Sequence, residues 1–142
     1  MRVALISVHG DPNLQAGGKD AGGMNIYIRE VVEKLSLSGV KVDVFTRDHD
    51  RKNEIEAHQS KLTVKYIKAG DNSLDKIGIY NHIDEFVEGV DNYRIQNNLK
   101  YDLIFAHYWL SGSASLKLKK IWGVPVITTF HTCLLYTSDA AD

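Results

Sequence analysis

Apolar residues along this chain fall into two rhythms, short near-continuous runs and longer stretches with a helical repeat, and the two alternate. Val3 to Val8 is apolar except for Ser7 and partly β-branched, which predicts a central parallel strand covered on both faces. Met24, Tyr27, Ile28, Val31, Val32 and Leu35 then recur at i, i+3, i+4 spacing with Arg29, Glu30, Glu33 and Lys34 opposite, predicting a first helix that stops near Gly39. Lys41 to Arg47 reads as strand two. Leu62 to Lys68 alternates apolar and polar positions and reads as a less buried strand three. Ile79, Ile83, Phe86, Val87 and Val90 mark the inner face of a second helix reaching about Asn98, with Gly89 a mild weakness. Asp102 to Ala106 is strand four. A third helix is expected to be capped by Ser111, to bury Ala114, Leu118 and Ile121, and to stop at Gly123. Val124 to Phe130 is strand five.

Strands alternating with helices predict an α/β fold, a Rossmann-like doubly wound parallel sheet. Right-handed crossovers and the strand order 3-2-1-4-5 put strands one and four side by side, and ligands of such sheets bind outside the carboxyl ends of the strands at that point. The segment joining strand one to helix one holds Gly17, Gly18, Gly22 and Gly23. Glycines crowd where backbone must turn or approach a ligand closely, and a helix N-terminus attracts anions. The loop is therefore read as a phosphate or sugar-phosphate cradle, with a plain surface connection as the alternative. Neither Gly-x-Gly-x-x-Gly nor a Gly-Lys-Ser/Thr ending is present, which argues against a dinucleotide fingerprint and a Walker A loop.

Composition narrows the field. The 142 residues are 44% hydrophobic, enough for one domain with a substantial core. A net charge of −1 gives no surplus for a polyanion, so nucleic acid is not expected as a partner. Cys133 is the only cysteine, which leaves no internal disulfide and suggests a reducing, cytoplasmic setting. No apolar run approaches the roughly 18–20 residues of a membrane span, and the N-terminal run lacks a cleavage pattern. Arg47 to Glu56 is heavily charged without an apolar face and reads as a mobile loop.

Candidate chemistry collects at the strand ends. His9 ends strand one, His107 strand four and His131 strand five, so all three are expected along one rim facing the glycine loop. Three histidines with an open position would suit zinc, but no carboxylate is evidently placed to orient the rings. Hydrogen bonding to a polar ligand is the reading preferred here, and no metal is expected. Tyr108 and Trp109 follow strand four, where such aromatics either pack a helix or face a sugar.

Five blocks now stand together: Ser7-Val8-His9-Gly10-Asp11-Pro12, Asp20-Ala21-Gly22-Gly23-Met24-Asn25-Ile26-Tyr27, Val42-Asp43-Val44-Phe45-Thr46-Arg47, His107-Tyr108-Trp109-Leu110-Ser111-Gly112 and Thr129-Phe130-His131-Thr132. In this order they resemble the amino-terminal domain of retaining GT-B glycosyltransferases of family 4. The branches most similar are the bacterial sucrose-phosphate synthases and the inositol-phosphate N-acetylglucosaminyltransferases of mycothiol synthesis. The resemblance covers residues 1 to 132 and implies one half of a GT-B fold. It implies a nucleotide-sugar as donor co-substrate, with no further cofactor, and a phosphorylated sugar or polyol as acceptor. Carried over by position, Gly22 and Gly23 would meet the donor diphosphate. His9, Asp20 and Asn25 would touch the acceptor, and Lys76, Tyr108 and Thr132 would hold its phosphate. His131 looks like the active-site histidine near the reacting carbon. Retention at one face asks for positioning and leaving-group stabilisation rather than a glycosidase's paired carboxylates.

Residues 133 to 142 match nothing in that pattern and read as foreign sequence. The second, carboxyl-terminal domain of the fold is missing, so this chain alone is expected to be inactive in transfer. The alternative is a stand-alone, non-catalytic sugar-phosphate binding module. An oxidoreductase is opposed by the absent fingerprint and by Thr46-Arg47, where an acidic residue would close strand two. Met24-Asn25 leans toward the inositol-phosphate branch and Val8 to Pro12 toward the sucrose-phosphate branch.

Overall fold

A computed structural model describes residues 1–14, 23–50 and 63–131. Five strands, β1 (Arg2–Ile6), β2 (Lys41–Arg47), β3 (Val64–Ile67), β4 (Leu103–His107) and β5 (Val126–Thr129), form one parallel sheet. Its order, β3-β2-β1-β4-β5, is the one expected from the sequence. Helices α1 (Gly23–Leu37), α2 (Lys76–Tyr80), α3 (Ile83–Gln96) and α4 (Tyr108–Trp122) connect the strands.

Successive side chains of a strand point to opposite faces, and β1 uses both. Ala4 and Ile6 join Phe86, Val87 and Val90 of α3 and Leu110, Ala114 and Leu118 of α4 in the larger core. Leu5, with Val44 of β2, packs on the other face against Ile28 and Val32 of α1. A strand buried on both sides cannot alternate apolar with polar residues, which is why Val3 to Ile6 reads as an unbroken run. The register Ala4↔Ile104 and Ala4↔Asp43 sets β4 and β2 on either side of β1. The carboxyl ends of all three therefore open on one edge.

Three expectations change. The second helix is two: Asp75 accepts from the Gly78 N–H at 2.8 Å and starts α2 three residues before the first expected apolar position, and the chain breaks at Asn81-His82 before α3. Ser111 is not a cap. α4 begins at Tyr108 with His107 as its N-cap, so Ser111 lies a turn inside, where its buried hydroxyl accepts the Val8 N–H at 2.9 Å. Ile121 is exposed, because Leu110, Ala114 and Leu118 already fill the inward stripe of α4. Gly123 ends α4 as expected, with φ of 68° in the left-handed region that glycine adopts freely.

Candidate functional site at the carboxyl edge of the sheet

Beyond β1 the backbone stays pinned. Ser7 N–H donates to Phe45 O at 2.9 Å, Arg47 N–H to Val8 O at 3.2 Å, and the Ser7 hydroxyl to Gly10 O at 2.6 Å. Gly10 has no room for a side chain, since a Cβ there would lie 2.7 Å from Asn25 Oδ1 and 2.5 Å from Met24 Cε. The turn after β1 is thus pressed against the first turn of α1.

That turn delivers Asp11 into a buried position. One carboxylate oxygen accepts from His49 Nε2 at 2.8 Å and from the Tyr66 hydroxyl at 2.7 Å, and the other accepts the Asn13 N–H at 2.9 Å. Burial pushes the Asp11 carboxyl upward, but the bonds from His49, Tyr66 and Asn13 outweigh it and hold it below the usual carboxylate range. Burial, and then the bond to Asp11, pushes the Tyr66 phenol well up. Arg47, also buried, reaches the other way and donates to the carbonyls of Ala69 at 3.3 Å, Asp71 at 2.8 Å and Asn72 at 3.3 Å. It ties the end of β2 to the loop that leads into α2.

Between these two anchors lies a half-open cleft of about 640 Å³, lined among others by His9, Arg47, His49, Leu74, Lys76 and Ile79. Lys76, the first residue of α2, brings its Nζ 3.3 Å from the Tyr108 hydroxyl and 5.1 Å from the centre of that ring. The His9 ring stands 6.5 Å from Tyr108. Tyr108 has φ of 75°, a conformation that costs a non-glycine residue free energy and is held only where surrounding contacts enforce it. The Val8–Ser111 bond and the buried Leu110 supply that enforcement one turn into α4.

On the far side of Tyr108 a second cluster forms. His107 Nδ1 and His131 Nε2 are 2.9 Å apart, and the Tyr27 ring meets both imidazoles edge-on, at 5.9 Å and 5.3 Å. Phe105 lies under His107 at 4.2 Å. Burial, with His131 as a second cause, drops the His107 pKa to about 4; burial also lowers that of His131. Both rings are therefore neutral near pH 7.

The three histidines do reach one edge, yet only His107 and His131 pair, while His9 turns to Tyr108. Asn25 is buried in the first turn of α1, and Gly23 opens that helix with nothing within 4 Å of a Cβ. Asp20, Gly22 and Thr132 lie outside the described residues, as do Gly17, Gly18 and residues 133–142. Among the described residues no group of three or more His, Cys, Asp or Glu could hold a metal ion, and no helix is long and apolar enough to cross a membrane.

Asp11, Arg47, His49 and Tyr66 escape the sequence reading. Arg47 and His49, read as part of a mobile loop, are held by those bonds; residues 51–56 of that loop lie outside the described residues. The available signal was Arg47 itself: a cation ending a buried strand must find acceptors, and its guanidinium finds them in the carbonyls of Ala69, Asp71 and Asn72, more than twenty positions away.

The profile of glycosyltransferase family 4 matches residues 21–141. The D-inositol 3-phosphate glycosyltransferase of Thermobifida fusca is 41% identical over 135 residues, spanning 92% of this chain and 31% of that protein. That of Corynebacterium diphtheriae is 37% identical over 134 residues, 93% of this chain and 31% of its own length. Among solved structures, a sucrose-phosphate synthase from Thermosynechococcus elongatus superposes with a TM-score of 0.83 at 30% identity, covering 99% of this chain and 35% of that one. The chain thus spans about a third of the length of these relatives.

Proposed function

The chain belongs to glycosyltransferase family 4, and on that premise we propose that it is the acceptor-side, amino-terminal part of a retaining glycosyltransferase. The reaction moves a sugar from a nucleotide-sugar to a phosphorylated sugar or polyol, and the relatives named above make an inositol phosphate the first acceptor to try. The observation that carries this reading is the meeting of Lys76 and Tyr108 at 3.3 Å beside the cleft that His9 lines. An ammonium and a phenol side by side offer two donors to a phosphate, and the cleft is large enough for a six-membered ring next to it.

Within this proposal Gly22 and Gly23 approach the donor diphosphate, His9, Asp20 and Asn25 contact the acceptor, and Thr132 completes the phosphate site. His131 faces the donor sugar. A second domain closes the site and supplies the rest of the nucleotide pocket, so these 142 residues alone bind acceptor without turning it over.

Titration calorimetry of the chain with D-inositol 3-phosphate and with hexose phosphates tests the reading. One of them is expected to bind, and Lys76→Ala to weaken that binding roughly ten- to a hundredfold, the loss of one charge-assisted bond. Binding that ignores Lys76→Ala, or no binding by any of these phosphates, would overturn the proposal. A radiolabelled transfer assay on the same chain is expected to show no product.

A further inference from the structure

The pairing of His107 with His131 carries more than a contact. His107 is fully buried, and its Nε2 has no hydrogen-bond partner among the described residues. A neutral imidazole holds one proton, on one of two nitrogens. Were it on Nε2, a buried N–H would be left without an acceptor, while Nδ1 accepted from His131. With the proton on Nδ1, His107 donates to His131 Nε2 across 2.9 Å, and only a lone pair is left unmatched. Orphaned buried N–H groups are the rarer of the two defects in folded proteins.

We propose that His107 is a positioning residue that fixes His131 as its Nδ1–H tautomer. With its Nε2 lone pair engaged by the His107 Nδ1–H, the neutral His131 ring must carry its own proton on Nδ1. The surroundings leave little freedom to evade this. Tyr27 abuts both rings edge-on, Phe105 lies under His107, and the His131 backbone is set at φ of 60°, which fixes where the ring leaves the chain. His107 itself closes β4 and is the N-cap of α4, so both elements set its backbone.

The chemical consequence rests on the reading of His131 as the residue that faces the donor sugar. A ring held this way presents an N–H, so it donates a hydrogen bond to a sugar hydroxyl or to developing negative charge. Its basic nitrogen is occupied, so it does not act as a general base through Nε2. Transfer with retention needs positioning of that kind more than a strong base.

Two-bond ¹H–¹⁵N correlation spectra of the uniformly labelled 142-residue chain near pH 7 test the assignment directly. The expected pattern is a pyrrole-like Nδ1 and a pyridine-like Nε2 for both His107 and His131. His107→Asn places an amide N–H near the former Nδ1 and is expected to keep the His131 pattern. His107→Leu removes the donor and is expected to return His131 toward the Nε2–H form. A pyrrole-like Nε2 on His131 in the unsubstituted chain would overturn the proposal, as would an unchanged His131 pattern in folded His107→Leu. If the leucine variant fails to fold, the unsubstituted spectrum decides alone. These spectra need no ligand, so they stand apart from the calorimetry. An Nδ1–H His131 in a chain that binds no phosphate would sink the function and keep the tautomer, and the reverse pair of results would do the opposite.

Discussion

Asp11 is the residue on which the cleft turns, because it joins three segments that nothing in the chain order brings together. Its carboxylate collects the turn after β1, His49 beyond β2 and Tyr66 in β3 through bonds of 2.7–2.9 Å. A buried carboxylate is costly unless its lone pairs are met, and here they are, by donors that the fold itself brings there. Asp11→Ala removes the acceptor that all three share. The expected loss is about 2–4 kcal/mol of unfolding free energy, read from urea midpoints, against about 1 kcal/mol for Tyr66→Phe, which deletes a single bond. A loss for Asp11→Ala no greater than that for Tyr66→Phe would mean that the network is incidental to the cleft. His49 follows the same logic. It was hidden in a charged stretch because its partner is 38 positions away, and pattern reading sees only neighbours.

Elements were legible where burial alone decides them. β1 and β4 are largely apolar because both faces are covered, and the order of the strands follows from the parallel crossovers, so sheet and site edge could be placed from the chain pattern. Boundaries set by tertiary contacts were not legible. The inward turn of Ser111 depends on Val8, which lies across the domain, and not on local propensity. Gly89 illustrates the difference. As a sequence feature it is a weak point in a helix, and on that ground Gly89→Ala should stabilise by about 0.5–1 kcal/mol. In the structure a Cβ at Gly89 would sit 2.4 Å from Ile67 Cγ2, a stiff β-branched position on β3. Overpacking of that kind costs roughly 1–3 kcal/mol and exceeds the propensity gain. Gly89→Ala is therefore expected to lower the thermal midpoint, and a raised midpoint would show that α3 is free to shift away from the sheet.

At the scale of the whole molecule, the site chemistry is written into how stability depends on pH. His107 has a folded pKa of about 4 against an ordinary value of 6.5. The unfolded chain therefore binds a proton that the native chain refuses across that interval. The sign follows: stability is complete above pH 6.5 and falls as the pH drops toward 4, by on the order of 3 kcal/mol from His107. His131, also lowered by burial, adds in the same direction. Asp11 behaves differently. Its folded pKa lies below the ordinary 3.8, so its contribution is intact through that whole window and is lost only as the pH falls through the lowered value. Unfolding free energies from urea titrations should thus hold level from pH 7.5 to about 6.5 and decline from there to pH 4, with a further fall beneath it in more acid solution. His107→Asn carries no titrating ring at the buried position and is expected to flatten the upper decline while leaving the acid limb in place. Since small domains are stable by only about 5–15 kcal/mol, a 3 kcal/mol change is readily measured. A variant curve parallel to that of the unsubstituted chain from pH 6.5 to 4 would show that His107 is not buried as a neutral imidazole, and the tautomer assigned to His131 would fall with it.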